Sequence, residues 1–330
     1  EDVRDFTTFI SNYREALSDD IRKTTEAFRQ ILKAASSKEP ITIDCGESGS
    51  TIRFLIPIVA ALGLDVRFEG QGRLPVRPLD QYDRTLTGHG PKLAFPEEEG
   101  LYLPLEVTGK LQAGHFEMAG DVSSQYITGM LYALCLLEKP SVLSLTTVLE
   151  SAPYVDLTLD VLKKFGQDIQ VEEDEDGLLT YRIKPVGGFK MPAEKVSIER
   201  DFSQSAFWYL ARFLGQDVDI QGMDYTSLQG DKVFASCLQI LENRQVLESS
   251  EDIAINVSQC PDLFPALGVA SAMAGEGKWT YLVDAGRLRI KESDRLAATQ
   301  DMLERLGVET KMGEDYLGIK GVAKFRGAAL

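Results

Sequence analysis

The sequence predicts an α/β protein assembled from repeated units and organised as two domains. Three observations predict it. Short β-prone runs alternate with helical segments along the 330 residues. The helical segments are of two kinds, one amphipathic and one almost wholly apolar after a polar start. The polar starts fall near positions 48, 123, 203 and 262, at spacings of about 75, 80 and 59 residues, a loose internal repeat. The physical reading is a set of small sheets, each covered by helices, with the apolar helices buried in the middle of a domain. One long, strictly wound parallel sheet is the competing arrangement.

Each element has its own reason. Positions 19–36 (DDIRKTTEAFRQILKAAS) set Ile21, Thr24, Phe28, Ile31 and Leu32 on one stripe, the spacing of an amphipathic helix. Segments 155–165, 231–241 and 293–306 repeat that pattern, several opening on a capping residue. The second kind comprises 46–63, 123–137, 201–215 and 261–277. Being apolar all round after their polar starts, they should be buried. The runs ITIDC, LDVRFEG, SVLSLTT, DIQVEE, DVDIQG and WTYLV are β-prone. A Gly/Pro-bearing stretch, KPVGGFKMPAEKVS, precedes 196–200, which divides the chain into domains 1–199 and 200–330.

Composition removes several functions. Thirty-five Lys and Arg against fifty-one Asp and Glu give a net charge of −16. No basic patch supports nucleic-acid binding, and an anionic membrane surface is disfavoured for the same reason. No apolar run reaches the roughly 18 residues of a membrane span, and the acidic start EDVRDFTTF is no signal peptide. Four scattered cysteines without a CxxC pair argue against structural zinc or a disulfide framework. Two histidines cannot build a multi-histidine metal centre. The expected compartment is a reducing cytoplasm, and any anionic ligand requires a local cluster of Arg and Lys.

Five segments carry chemistry. Glu47-Ser48-Gly49-Ser50-Thr51-Ile52-Arg53 follows a β-prone run and opens an apolar helix. Gly49 would let an anion approach free N–H groups at the positive end of the helix dipole; a plain capped helix is the other reading. Arg73-Leu74-Pro75-Val76-Arg77-Pro78 is a stiff dibasic loop suited to phosphate or carboxylate, or to pairing with Asp80 and Asp83. Ser123-Ser124-Gln125 opens another apolar helix, as a phosphate cradle or as a cap. Arg287-Leu288-Arg289-Ile290-Lys291-Glu292-Ser293-Asp294-Arg295 reads as a strand with Arg287, Arg289 and Lys291 on one face. There Ser293 or a neighbour caps the next helix. A Lys beside a Glu can divide base and acid roles, against the alternative of a solvated turn. Asp262, before the apolar helix at 261–277, is an N-cap, a cleft carboxylate, or both.

Together these segments resemble the 5-enolpyruvylshikimate-3-phosphate (EPSP) synthase family of enolpyruvyl transferases, from about Ser18 to Val308. The resemblance also rests on Ser18-Asp19-Asp20, Ser151-Ala152-Pro153-Tyr154, Glu199-Arg200-Asp201, Thr226-Ser227-Leu228-Gln229-Gly230-Asp231 and Pro261-Asp262. Nine motifs stand in the family's order at compatible spacings. The resemblance implies a two-domain inside-out α/β barrel, with repeated α/β subdomains around buried parallel helices and an active site between the domains. It implies transfer of the carboxyvinyl group of phosphoenolpyruvate to the 5-hydroxyl of shikimate 3-phosphate, with release of phosphate, in aromatic amino acid biosynthesis. No metal or redox cofactor is implied, and a cytoplasmic monomer is.

By the same resemblance, Asp262, Lys291 and Glu292 are catalytic: Asp262 as base near the 5-hydroxyl, Lys291 sharing its proton, Glu292 acting at C3 of the enol. Ser123, Ser124, Gln125, Ser151 and Tyr154, with Asp262 and Lys291, form the shikimate-phosphate site. Gly49, Arg73, Gln125 and Arg295 form the phosphoenolpyruvate site. Asp20, Arg53 and Arg77 stand behind the residues that touch ligand. The family's opening Lys-Ser…Arg segment is not found before Ser18, and its late Asp-His-Arg motif and Lys would fall beyond Leu330. Glu47 stands where many members have Asn. The tail KFRGAAL follows a strand-like run without a closing helix, so the chain is expected to be cut short, slow in turnover and left with an exposed apolar helix face. Two other functions share these features: an impaired relative that only binds ligand, and the sister family acting on UDP-N-acetylglucosamine, which generally lacks the LRxKESDR and SSQ segments.

Overall fold

A computed structural model describes residues 17–192, 195–246, 251–291 and 293–327. Its twelve strands, counted among these residues, form three separate four-stranded sheets. Small mixed sheets are therefore the arrangement adopted, and a single long parallel sheet is not.

The three sheets share one topology. Helix α1 (Asp19–Ser37) leads into β1 (Ile41–Asp44), helix α2 (Gly49–Leu62) and β2 (Val66–Glu69). β1 and β2 pair in parallel, Ile41 opposite Val66, as a helical crossover requires. Helix α3 (Asp80–Leu86) then precedes β3 (Lys92–Ala94) and β4 (Leu105–Thr108), which runs antiparallel between β2 and β3. The second sheet repeats the scheme with β5 (His115–Met118), helix α4 (Ser124–Leu134), β6 (Ser141–Leu145), helix α5 (Ala152–Lys164), β7 (Gln170–Glu173) and β8 (Leu179–Ile183). Helices α6 (Phe202–Phe213) and α7 (Phe234–Val246) follow. The third sheet has β9 (Ile253–Asn256), helix α8 (Phe264–Ala272), β10 (Trp279–Val283), helix α9 (Arg295–Arg305), β11 (Thr310–Met312) and β12 (Tyr316–Lys320). In every sheet the strands lie in the order first, second, fourth, third. The crossover helix of each parallel pair is one of the polar-start apolar segments.

The chain divides into two compact units. The first comprises 1–149 and 158–193 and holds the first two sheets. The second comprises 150–157 and 194–330 and holds the third.

The first unit is built around α2 and α4, which pack along one another. Both are buried on nearly every side, so their apolar surface leaves water on all faces. Pro57 within α2 has no N–H for the Arg53 carbonyl one turn earlier. The Tyr82 hydroxyl donates to that carbonyl instead, and burial holds the phenol protonated. Gly129 of α4 crosses at the same place. A Cβ there would lie 2.5 Å from Tyr82 Oη and 3.2 Å from Pro57 Cγ, so the close approach depends on glycine.

The second unit packs α6, α7, α8 and α9 around one core that includes Leu241, Phe264, Leu267, Leu282, Leu296 and Leu303. Here three expectations are corrected. The run DVDIQG at 217–222 forms no strand; Val218 and Ile220 instead line a cavity of about 510 Å³ with Arg200, Gln204 and Trp208. Helix α6 is not buried all round: Phe202, Ala206 and Leu210, four apart, face the core, while Phe207 and Trp208 are exposed. Residues 286–290 form a 3-10 turn rather than a strand. The turn follows β10 through Asp284, whose φ of 56° breaks the extended run.

Candidate active site

Two clusters gather the residues singled out from sequence, one in each unit. In the first unit, Ser48 caps α2, accepting from Thr51 N at 3.2 Å and from the Thr51 hydroxyl at 2.7 Å. Gly49 is therefore the first residue of the helix, where backbone N–H groups have no helical acceptor. Two guanidinium groups lie against it. A Cβ at Gly49 would sit 2.5 Å from Arg77 Nη1 and 2.7 Å from Arg53 Nη1, so glycine is what lets both cations reach the helix start. Arg53 and Arg77 are only 4% and 5% exposed. Arg53 Nη1 donates to Gln125 Oε1 at 3.1 Å and Nη2 to Pro78 O at 3.3 Å, with the Tyr126 ring at 5.1 Å. These partners are all neutral, and the buried Arg53 Nε makes no hydrogen bond among the described residues. A buried cation held by neutral acceptors leaves an electrostatic demand for an anion.

Gln125 belongs to α4, whose cap Ser123 accepts from Gln125 N at 3.4 Å; Ser124 is buried beside it. Two helix starts thus converge through the Arg53–Gln125 bond. Arg73 is placed differently. It is exposed at the head of the 3-10 turn Leu74–Val76 and its side chain makes no hydrogen bond or ion pair among the described residues, whereas Arg77, four residues on, faces Gly49. Asp20 lies one turn before Thr24 on α1, and the Thr24 hydroxyl bonds that of Thr51 at 2.7 Å. Asp20 itself is exposed.

In the second unit the centre is Asp262, in a 3-10 turn (Pro261–Leu263) that leads into α8. Its carboxylate caps no backbone N–H among the described residues. Asp262 Oδ1 accepts from Arg295 Nη1, and Oδ2 accepts from the Tyr154 hydroxyl at 3.3 Å. Arg295 is held in place by Pro261 O at 3.3 Å and starts helix α9, whose cap is Asp294 rather than Ser293. The Tyr154 hydroxyl also points at Asp231 Oδ2, 2.9 Å away. Burial, then the charges of Asp262 and Asp231, keep the phenol protonated. Gly230 makes this approach possible: a Cβ there would lie 2.8 Å from Pro153 Cγ.

Asp231 carries no signal in sequence beyond its place in the TSLQGD motif. It is 4% exposed, and burial pushes its carboxyl up to about 6, with the Asp262 and Asp201 charges adding to the rise and the Tyr154 hydrogen bond opposing it. Arg287 was anticipated only as one face of a strand. Its Nη2 donates to Ser151 Oγ at 2.7 Å and its Nε pairs with Glu150 at 2.6 Å, while Arg289 turns to Gly313 O and Asp294. Ser151 is buried at a φ of 56°. Lys291 ends the 3-10 turn, half-buried. Glu292 lies outside the described residues.

Among the described residues no three His, Cys, Asp or Glu side chains are grouped to hold a metal ion, and no helix is long and apolar enough to cross a membrane. All four cysteines are free and buried.

Comparison with known proteins identifies the family. The profile of the family described as EPSP synthase (3-phosphoshikimate 1-carboxyvinyltransferase) matches residues 1–330. The 3-phosphoshikimate 1-carboxyvinyltransferase of Clostridium acetobutylicum is 43% identical over 298 residues, covering 88% of this chain and 67% of the relative. That of Clostridium novyi is 40% identical over 327 residues, covering 96% and 73%. Among solved structures, EPSP synthase from Acinetobacter baumannii superposes with a TM-score of 0.61 at 22% identity, over 86% of this chain and 66% of that one. The enolpyruvyl transferase NikO from Streptomyces tendae gives 0.55 at 17%, over 82% and 63%. The fold is thus the inside-out α/β fold of enolpyruvyl transferases. The chain spans about two thirds of the length of these relatives. It belongs to the EPSP synthase (3-phosphoshikimate 1-carboxyvinyltransferase) family of transferases.

Proposed function

We propose that this chain transfers the carboxyvinyl group of phosphoenolpyruvate to the 5-hydroxyl of shikimate 3-phosphate and releases inorganic phosphate, as a cytoplasmic monomer serving aromatic amino acid biosynthesis. The observation that carries the reading is Asp262, a half-buried carboxylate held by Arg295 on one oxygen, with the Tyr154 hydroxyl 3.3 Å from the other. A carboxylate so oriented keeps lone pairs for a substrate hydroxyl while its charge is balanced.

The chemistry then divides between the clusters. Around Gly49, the helix start and the two buried guanidinium groups of Arg53 and Arg77 suit an anionic phosphate or carboxylate. Gln125, Ser123 and Ser124 add neutral donors, and Ser151 and Tyr154 add hydroxyls for shikimate 3-phosphate. Protonation of the enol carbon C3 makes C2 electrophilic, and Glu292 is the proposed donor. Asp262, aided by Lys291, removes the proton of the 5-hydroxyl, which adds at C2. The tetrahedral ketal phosphate loses its C3 proton and its phosphate to give the enol ether. Within this scheme residues 1–199 supply most contacts to shikimate 3-phosphate. Arg77 joins Gly49 and Arg53 as an anion ligand, while exposed Arg73 contributes at longer range.

The test is release of inorganic phosphate from phosphoenolpyruvate, with and without shikimate 3-phosphate. Release that depends on shikimate 3-phosphate, and none with UDP-N-acetylglucosamine, is expected. Absence of shikimate-dependent release, or release with the UDP-sugar instead, overturns the reading.

A further inference from the structure

We infer that Asp231 is a positioning residue that controls the proposed base Asp262 through the Tyr154 hydroxyl; the inference rests on the reading of Asp262 given above. Tyr154 has a single hydroxyl hydrogen, yet its oxygen lies 2.9 Å from Asp231 Oδ2 and 3.3 Å from Asp262 Oδ2. Only one carboxylate can hold that hydrogen at a time. The shorter approach belongs to Asp231, whose other oxygen, Oδ1, is buried without a hydrogen bond among the described residues. An ionised Asp231 therefore draws the hydrogen strongly, because it has little else to stabilise its charge. Asp262 is then left with Arg295 on one oxygen and an open lone pair on the other.

Protonated Asp231 reverses the chain. Its own O–H donates to the Tyr154 oxygen, and the Tyr154 hydrogen passes to Asp262 Oδ2. A carboxylate that already accepts from Arg295 and Tyr154 is a poorer acceptor for a substrate proton. No atom is gained or lost at Tyr154; one proton enters Asp231 from solvent, the Asp231–Tyr154 hydrogen bond reverses, and a hydrogen bond from Tyr154 to Asp262 forms.

The charged and titratable groups around Asp231 come from four elements. They are Tyr154 at the start of α5, Cys260 and Asp262 before α8, Asp201 at the cap of α6 and Arg295 at the start of α9. Tyr154 cannot ionise in the working range, so between the two carboxylates it relays a hydrogen bond and not a charge. The carboxyl of Asp231, raised to about 6 by burial, changes state within the range where the reaction can be assayed.

The experiment is the pH profile of kcat for the full chain with phosphoenolpyruvate and shikimate 3-phosphate, for wild type, Asp231→Asn, Tyr154→Phe and the double variant. Wild type is expected to lose activity as pH falls through about 6. Asp231→Asn, whose amide mimics the protonated acid, should lack that step. Above pH 7 its kcat should lie about tenfold below wild type, the scale of one hydrogen bond to a charged group, with KM for phosphoenolpyruvate unchanged. Tyr154→Phe removes the relay, so it should also lose the step, and adding Asp231→Asn to it should change kcat no further. A retained step near pH 6 in either single variant, or effects that multiply in the double variant, overturns the inference. If Asp231→Asn does not fold, the Tyr154→Phe profile decides alone. Wild type without shikimate-dependent phosphate release would instead overturn the functional reading.

Discussion

The three crossover helices occupy the same place in three sheets of the same topology, yet they begin differently. Helices α2 and α4 start on Ser48-Gly49 and Ser123-Ser124, with uncharged residues at the positive end of the dipole. Helix α8 is preceded by a 3-10 turn carrying Asp262. The first two starts carry no negative charge of their own, and the guanidinium groups of Arg53 and Arg77 gather at Gly49. The third brings its own carboxylate, and Arg295 and Tyr154 gather on that instead. On the proposed function, one structural position serves as an anion receptor in the first unit and as a proton acceptor in the second. The difference lies in whether the helix start carries a negative charge of its own.

If this division is right, the largest losses follow from the second unit. Asp262→Asn and Lys291→Met should each lower kcat by about 10³-fold or more, the range of general acid–base catalysis, with circular dichroism and thermal melting unchanged. Near-normal kcat in Lys291→Met would break the assignment. In the first unit the effect should fall on binding. Gly49→Ala drives a methyl into the Arg53 and Arg77 guanidinium groups, so KM for phosphoenolpyruvate should rise about tenfold, or about 1.4 kcal/mol, with a smaller change in kcat. Equal losses in kcat and kcat/KM would assign Gly49 to the chemistry instead.

Stability sharpens the contrast further. Gly129→Ala should cost about 2–3 kcal/mol in urea unfolding, because its methyl meets Tyr82 and Pro57 with no room to relax. Asp231 should act in the opposite sense. Its folded carboxyl is raised to about 6, above that of an unfolded aspartate. Its contribution is therefore most favourable at low pH and is lost as pH rises from about 4 to about 6. Asp231→Asn should be more stable than wild type by about 2 kcal/mol at pH 7.5, the gap closing toward pH 4. The smallest effect expected is at the cysteines. Burial pushes the Cys45, Cys135 and Cys260 thiols up to about 12, so the native protein should react with thiol reagents only as fast as it unfolds.

Much of the repeat was legible in the residues. Ser48, Ser123, Asp201 and Asp294 cap helices, because a short polar side chain before an apolar run has one favourable use there. The strands β1, β2, β6, β7 and β10 coincide with β-prone runs. The strand β12 is the strand-like run before KFRGAAL, whereas the short strands β3, β4, β5, β8, β9 and β11 were not anticipated. Three to five residues carry too little pattern to stand out, and their pairing is set by the neighbour they meet. The run 217–222 failed for the matching reason: alternation alone makes no strand without an edge to join.

The site divides along the same line. Sequence by itself determined the residue types at each helix start, the order of the motifs and the family to which they belong, because capping, glycine and helix dipole are local matters. Tertiary structure alone decided that Arg77 rather than Arg73 faces Gly49, that Arg287 holds Ser151, and that Asp231 shares the Tyr154 hydrogen with Asp262. Those contacts join residues tens of positions apart, and each depends on burial, which raises the cost of an unsatisfied charge and so selects its partner.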